Sequence, residues 1–520
     1  MSSAPRRSLK PRTRKKRATT QKSLAKQPDA ILAIARKSFG FDCLRPGQEE
    51  AICSLLDKKD TLVVMPTGSG KSAIYQIAGL MLEGAILVIS PLIALQKDQV
   101  DSINHQDAEG EAVVLNSTQH AAETRETFEK IQEGTGKYIF LAPEQLHKQE
   151  TVEALEKAGI SLFVVDEAHC ISEWGHDFRP DYLQLGPAIE RLGHPVVLAM
   201  TATASRQVRD EIVQRLGMRN PKTFVHGFDR PNIHLRVDHF KTKEEKLEAL
   251  VHRVRWAEKP GIVYVGTRKA AEEIMDLLTE EGVRALFYHG GLKASERHQI
   301  QDQFMSGEAD VIVATNAFGM GIDKADIRFV YHYDISDSLD SYYQEIGRGG
   351  RDGEKAEAIL FFRQEDIGAQ AFKTGEGALG LKELDQVVTV IAGQDGPLDP
   401  SEIAGQTDLS ERKLTSALQR LEDAGAVEVL PGGEVQLSEE ADLSEAAQAA
   451  AEQQERRREM KRERLCQMEQ YANTSACRRE HLLRYFGDDF TGPCNNCDNC
   501  KATSGAIEVD PSVGTRREVA

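Results

Sequence analysis

The chain has 520 residues, 40% of them hydrophobic and 6% aromatic, and a net charge of −17. Such a length implies several domains at ~100–200 residues each, the lack of an apolar run of ~18 residues implies no membrane span, and the basic, polar start lacks the apolar core of a secretory signal. Eight cysteines in so long a chain do not suggest a disulfide scaffold and favour a reducing compartment: cytoplasmic, nucleoid-associated in a bacterium, or nuclear in a eukaryote.

Residues 1–28 hold ten Lys or Arg and no acid, so the remainder of the chain sums to −27. With like charges around PRTRKKR and no apolar period, this stretch is expected to be a disordered tail. It suits a phosphate-seeking arm, a solubilising extension or a nuclear import signal. The acidic remainder leaves nucleic-acid contact to local patches or uncharged donors.

Residues 61–72 read TLVVMPTGSGKS. A β-branched run, Thr61–Val64, enters a Gly-rich turn, and the helix-like AIYQIAGLML follows. Strand, loop and helix in this order make a phosphate cradle, because glycines let backbone N–H groups close on phosphates and the helix N-terminus adds positive potential. Thr67, Gly68, Ser69 and Gly70 supply the loop; Lys71 would reach the β- and γ-phosphates of ATP, and Ser72 would hold magnesium. Met65 stands where the strict pattern has glycine.

The next element, SLFVVDEAH (161–169), delivers two acids at the C-terminal end of an apolar strand, where parallel sheets bind ligands. Asp166 is expected to bind magnesium and Glu167 to orient or deprotonate the attacking water. Beyond it, HCISEWGHDFRPDY (169–182) carries Trp174 and Phe178, whose faces would stack on any base, and Arg179, a phosphate partner. The alternative makes both aromatics core residues. With AILVIS (85–90), KYIFLA (137–142) and PVVLAM (195–200) as further strands between helical stretches, 29–225 reads as a doubly wound α/β domain.

The series then restarts with GIVYV (261–265), VRALFY (283–288), DVIVA (310–314), IRFVYH (327–332) and EAILFF (357–362), a second such domain over 226–375 without a phosphate loop. Its QEIGRGGRDG (344–353) sets Arg348 and Arg351 in a Gly-rich turn, the makings of arginine fingers aimed at the first domain's phosphates.

LDPSEIAGQTDLSERKLTSALQRLEDAGAVEVLPGGEVQL (398–437) reads as helix, turn, helix and a hairpin about PGG. Asp408 or Ser410 would cap the second helix, and Leu414, Leu418 and Leu421 form its apolar stripe. This winged-helix-like unit, placed at 376–445, suits duplex DNA binding, a protein contact or a spacer. Its hairpin has no Arg, Lys or aromatic, which argues against a strand-splitting pin. An Ala-, Glu- and Arg-rich helix (445–465) leads into a helical zinc module at 446–503, with a flexible tail at 504–520. There CNNCDNC supplies Cys494, Cys497 and Cys500, three of the four ligands of a structural zinc. No thioredoxin-like βαβ frames them. Cys43, Cys53, Cys170 and Cys466 have no partner at ligand spacing and read as ordinary core or surface residues.

Together these motifs resemble the RecQ family of superfamily 2 helicases, over about residues 31–375 and 456–500. FGFDCLRPGQEEAI (39–52) is similar to the family's leading motif, which implies that Gln48 reads adenine with Arg45 in support. MPTGSGKS, with Ser69 where glycine is usual, SPLIALQKDQV (90–100), DEAH (166–169), MTATAS (200–205), ATNAFGMGID (314–323) and QEIGRGGRDG follow in family order. DEAH alone would equally suit an RNA helicase; the aromatic-rich loop at 169–182 is what resembles RecQ, and the resemblance implies that it couples single-strand binding to ATP hydrolysis. It also supplies the fourth zinc ligand, Cys477, seventeen residues before Cys494 and expected on a helix. Zinc would then staple a small helical hairpin with little core of its own, and Arg478, Arg479 and Arg484 on that hairpin would be available to phosphates.

What the resemblance implies is two tandem RecA-like domains and an ATP-dependent DNA helicase moving 3′ to 5′ on single-stranded DNA, unwinding duplex DNA in recombination, repair or replication, with ATP, magnesium and zinc. The chain departs from the family in placing its winged helix before the zinc module, and no HRDC module is expected after Cys500. Rival readings are an RNA-directed or strand-annealing ATPase with little unwinding, and a zinc-stabilised DNA-binding regulator with a vestigial ATPase. The intact set of Lys71, Asp166, Glu167 and Arg351 argues against the last.

Overall fold

The computed structural model describes residues 28–503 apart from 67, 92–95, 97–98, 102, 105–110, 116–120, 176, 320–321, 323, 376–380, 395, 408, 424, 431–433 and 439–442. Most of the basic tail, Thr67, Asp408, the PGG turn and 504–520 therefore lie outside the described residues.

The first sheet contains β1 (Thr61–Val64), β2 (Ala85–Ile89), β3 (Glu111–Leu115), β4 (Gly136–Leu141), β5 (Ile160–Val165), β6 (Val196–Thr201) and β7 (Lys222–Val225). Their order is β3-β4-β2-β5-β6-β1-β7, and every pairing is parallel. Helices must cross over between parallel strands and so cover both faces of the sheet. Every residue of β1 and β2 is accordingly buried, which is why these strands show as unbroken apolar runs. Parallel pairing also brings the C-terminal ends to one edge, where the Gly-rich loop follows β1, Asp166 follows β5 and Thr201 ends β6.

The second sheet is also all parallel. It is built from β8 (Ile233–His239), β9 (Gly261–Tyr264), β10 (Ala285–Tyr288), β11 (Val311–Ala314), β12 (Phe329–His332) and β13 (Ala356–Phe362), in the order β10-β11-β9-β12-β13-β8. Three strands escape the sequence reading, and all three are edges: β3, β7 and β8. β7 exposes Lys222 and Thr223. In β8 the buried Ile233, Leu235 and Val237 alternate with less buried neighbours, a period of two rather than an apolar run.

Helices Leu381–Ala392, Pro400–Gln406 and Glu411–Asp423 and the antiparallel pair β14 (Val427–Val429) and β15 (Val435–Leu437) form the winged-helix-like unit. It has its own core, to which Leu414, Leu418 and Leu421 contribute with Leu384 and Ile403. Ser410 caps the helix Glu411–Asp423, its hydroxyl accepting the Lys413 N–H at 3.4 Å. The helix expected at 445–465 is longer: it runs unbroken from Leu443 to Asn473, and its far end buries Met468 and Tyr471 in the second lobe's core.

One expectation for the C-terminal module is corrected: Cys477 does not lie on a helix but caps one, Arg478–Tyr485. The module has little core of its own. Leu482 and Cys497 pack into the second lobe, while Leu483 and Phe486 pack into the first. Phe486 stacks on Phe228 at 4.7 Å and 9° and lies 4.8 Å from Tyr343, so the module plugs the junction of the two lobes. Among the described residues no helix is long and apolar enough to cross a membrane.

Candidate nucleotide and metal sites

The loop after β1 turns through Gly68 (φ 79°) and Gly70 (φ 80°), both left-handed. Gly70 also leads into the helix Lys71–Met81; its φ of 80° strains any other residue, and a Cβ placed on it would push aside Gln48 Nε2, 2.7 Å away. Met65, where glycine was expected, continues the strand: its N–H donates to the Thr201 carbonyl at 3.1 Å and its side chain is buried. The departure leaves the loop intact because the turn begins later. Lys71 Nζ donates to the carbonyls of Met65 (3.0 Å) and Pro66 (3.3 Å). Burial holds its pKa below the ordinary lysine value, against the pull of Glu167 and Asp166. An ammonium resting on two carbonyls inside a glycine cradle is placed to exchange them for phosphate oxygens.

Gln48 and Arg45 brace this loop. Gln48 Nε2 donates to the carbonyls of Gly70 (2.9 Å) and Ser69 (3.2 Å), its Oε1 accepts the Arg45 N–H at 2.8 Å, and the Arg45 guanidinium bonds the Gly68 carbonyl. Ser72 Oγ accepts from Gln99 Nε2 at 3.4 Å.

Asp166 follows β5, its N–H donating to the Ile89 carbonyl at 2.9 Å, and its Oδ1 accepts the Glu167 N–H at 3.0 Å. Burial first, then Glu167, pushes the Asp166 carboxyl up to about 7, with Lys71 opposing. Two adjacent half-buried carboxylates, each disfavouring the other's charge, fit a divalent cation that would relieve the repulsion. Glu167 is left-handed (φ 47°), and its Oε2 lies 3.3 Å from His169 Nδ1. His169 Nδ1 is also 2.8 Å from Thr201 Oγ1, and that hydroxyl donates to the Thr203 carbonyl at 3.0 Å. This chain ties DEAH to MTATAS; the sequence placed both motifs but gave His169 and Thr201 no role.

From the second lobe, Arg351 donates to the Ile322 carbonyl at 2.8 Å and extends over the loop, so that a Cβ on Gly68 would lie 3.5 Å from Arg351 Cδ. Its charge is felt at Lys71. Arg348 takes a different place: it is buried beside Gly319 and Tyr264 within its own lobe. The turn carrying both is held by Arg230, which sequence reasoning missed and which donates to the carbonyls of Gly347 (2.8 Å), Gly349 (2.6 Å) and Gly350 (3.0 Å).

In the aromatic-rich loop, Trp174 is half-buried and packs against the first lobe's core. Phe178 is half-buried under the Arg457 guanidinium, 5.2 Å from its ring centroid. Arg179 pairs with Asp177 (2.9 Å) and donates to the Pro91 carbonyl at 3.2 Å. Tyr182, at the loop's end, donates to the Asp166 carbonyl at 3.1 Å, a direct link from loop to catalytic strand.

The sulfurs of Cys477, Cys494, Cys497 and Cys500 all lie within 4.8 Å of one another, and Cys494 and Cys500 are 4.0 Å apart. Four thiolates about 2.3 Å from a tetrahedral zinc would stand about 3.8 Å apart, so the quartet fits that ion. The cluster is pinned to β8: Cys497 bridges Leu235, and Asp498 accepts the Val237 N–H at 3.0 Å. Arg478 and Arg479, expected to be available to phosphates, are buried. Arg478 pairs with Asp498, while Arg479 pairs with Asp229 and donates to the Ile233 carbonyl at 2.7 Å. Arg479 thereby fastens the module to the second lobe, while Arg478, which also donates to the Tyr471 carbonyl at 2.9 Å, ties the module together. Arg484 is exposed and pairs with Glu480.

Family profiles match the chain in three places: DEAD/DEAH box helicase at 45–211, Helicase conserved C-terminal domain at 242–353 and RecQ zinc-binding at 439–501. The probable ATP-dependent DNA helicase RecS of Bacillus subtilis is 36% identical over 483 residues, 93% of each chain. The ATP-dependent DNA helicase RecQ of Synechocystis is 34% identical over 484 residues, 89% of this chain and 97% of that one. Among solved structures, the DUF1998 helicase MrfA bound to DNA is similar in fold, with TM-score 0.55 and 17% identity over 80% of this chain; the match spans 63% of MrfA. Relatives matched along almost their full length, and a cysteine quartet under the zinc-binding profile, place this chain in the RecQ family of ATP-dependent DNA helicases.

Proposed function

We propose that the protein hydrolyses ATP to move 3′ to 5′ along single-stranded DNA and thereby separates duplex strands. The observation that carries this reading is Arg351, a second-lobe cation lying over Gly68 of the first lobe's loop: a nucleotide held there is gripped by both lobes, so its hydrolysis changes how they sit together. Lys71 would trade its carbonyl partners for β- and γ-phosphate oxygens. Ser72 and Asp166 would hold magnesium, which supplies charge neutralisation on those phosphates. Glu167, aligned by His169, would orient the water and take its proton as the water oxygen bonds the γ-phosphorus and the bond to the β–γ bridging oxygen breaks. Arg351 would stabilise the charge that develops, while Arg348 shapes the turn from within its lobe. Gln48 would meet adenine from beside the loop it braces, with Thr67 and Ser69 completing the cradle.

Trp174, Phe178 and Arg179 would receive the strand, and Tyr182 would pass the loop's position to Asp166. In this reading the lobes are 29–225 and 226–375, the winged-helix-like unit is 376–445, and the zinc module is 446–503. The working compartment is the cytoplasm, at the nucleoid of a bacterium, or the nucleus of a eukaryote. The test compares ATP hydrolysis with single-stranded DNA, duplex DNA and RNA. Single-stranded DNA should stimulate most. Equal stimulation by RNA would favour an RNA-directed ATPase, and none by any of them a DNA-binding regulator.

A further inference from the structure

The mechanism above leaves the helix Leu443–Asn473 and the winged-helix-like unit without a task. Residues 456–464 of that helix read RRREMKRER, six cations against two acids in a chain whose net charge is −17. Arg457, Lys461 and Arg464 stand at i, i+4 and i+7, on one face. That face meets the aromatic-rich loop. Arg457 covers the Phe178 ring at 5.2 Å and lies 3.5 Å from Glu173 Oε1, and Arg464 donates to the Glu173 carbonyl. Arg458 and Arg462 instead pair with Glu455, at 3.2 and 3.6 Å.

The winged-helix-like unit adds a fourth cation. Arg420 of the helix Glu411–Asp423 bonds Gln454 on the long helix. Lys461, exposed at the surface, sits close enough to feel all three arginines: burial of part of its stem, then Arg464, then Arg457 and Arg420 lower its pKa, with Asp337 opposing. Gathering like charges is costly, and a polyanion would offset the cost. The same arrangement bears on a strand that uses the loop. One face of Phe178 holds the Arg457 guanidinium, so a base stacking on that face must displace Arg457.

We propose that Arg457, Lys461 and Arg464, with Arg420 from the winged-helix-like unit, form a track for the backbone phosphates of the single strand entering the aromatic-rich loop, Arg457 exchanging the Phe178 ring for a phosphate as the base arrives. The winged-helix-like unit then serves to brace the track and contribute Arg420. This inference rests on the single-stranded DNA reading above.

Fluorescence anisotropy with a labelled oligo-dT across a salt series tests it, using wild type, Lys461→Glu, Lys461→Gln and Arg462→Glu. Both Lys461 and Arg462 are exposed, and the two charge reversals are equal in size. Lys461→Glu should weaken binding at least about tenfold, and Lys461→Gln should flatten the log–log salt slope by about 0.7, the value for one lost phosphate contact on a single strand. Arg462→Glu should stay within about twofold of wild type. Equal losses at Lys461→Glu and Arg462→Glu would mean a diffuse field rather than a track and overturn the proposal, as would unchanged binding in Lys461→Glu. In either case a wild type whose ATPase responds to the same oligonucleotide keeps the underlying function; a wild type that neither binds nor responds overturns both.

Discussion

Replacing Asp166 with Asn should end ATP turnover and yet stabilise the magnesium-free protein at pH 8. The Asp166 carboxyl is half-buried beside Glu167, and burial first and Glu167 second raise it from 3.8 to about 7. A raised carboxyl binds its proton more tightly in the folded state, so the native state loses stability as pH climbs from about 4 to about 7. At 1.36 kcal/mol per pH unit the loss at pH 8 is on the order of 4 kcal/mol, a figure already net of the attraction to Lys71. At pH 5 the same arithmetic leaves about 1–2 kcal/mol. Asn has the shape of the neutral acid and never ionises, so Asp166→Asn should melt higher than wild type, by a margin that grows from pH 5 to pH 8. The assay is thermal unfolding without added magnesium and without chelator, since a chelator would strip zinc. Added magnesium should then raise the wild-type Tm and leave the variant's alone. A variant less stable than wild type at pH 8, or a margin that ignores pH, would refute the paired-carboxylate argument.

Glu167→Gln should bind ATP but hydrolyse it about 10²–10⁴-fold more slowly; titration calorimetry beside a turnover assay separates the two, and unchanged turnover removes Glu167 from the role of base. Trp174→Ala should cost roughly 1–3 kcal/mol of strand affinity, with DNA-stimulated hydrolysis falling further than binding; a variant stimulated as well as wild type would leave Trp174 a core residue only. Elemental analysis should find one zinc per chain and none in Cys497→Ser, because a hydroxyl is a poor substitute for thiolate. As Leu483 and Phe486 belong to the first lobe's core, basal ATPase should fall along with DNA binding in that variant, and full zinc content in it would break the four-cysteine assignment.

The sequence showed most clearly where backbone and charge both had to be special. Lys71, Asp166 and Glu167 each follow a strand buried along much of its length, and such strands announce themselves as apolar runs. β7, with Lys222 and Thr223 exposed, and β8, with its alternating burial, make no such run and went unseen; the edge strand β3 went unread although its AVVL is apolar. Residues that act through another residue were also silent: Arg230 holds the arginine turn by its carbonyls, and Thr201 holds His169, yet neither stands in a spacing that chemistry demands. The misreading of Arg478 and Arg479 has the same root. A cation on a short helix looks like a phosphate ligand until its partners, Asp498 and Asp229, arrive from 20 and 250 residues away.

If closing the two lobes on ATP drives the protein, it should move along one strand in one direction. The most direct test is strand displacement from duplexes carrying a single-stranded tail at either the 3′ or the 5′ end, with wild type, Lys71→Ala and Arg351→Ala. Wild type should displace the strand from the 3′-tailed duplex in an ATP-dependent way and hardly at all from the 5′-tailed duplex, and neither variant should displace any. Displacement that needs no ATP, prefers the 5′ tail or survives Arg351→Ala would contradict movement driven by lobe closure in that direction.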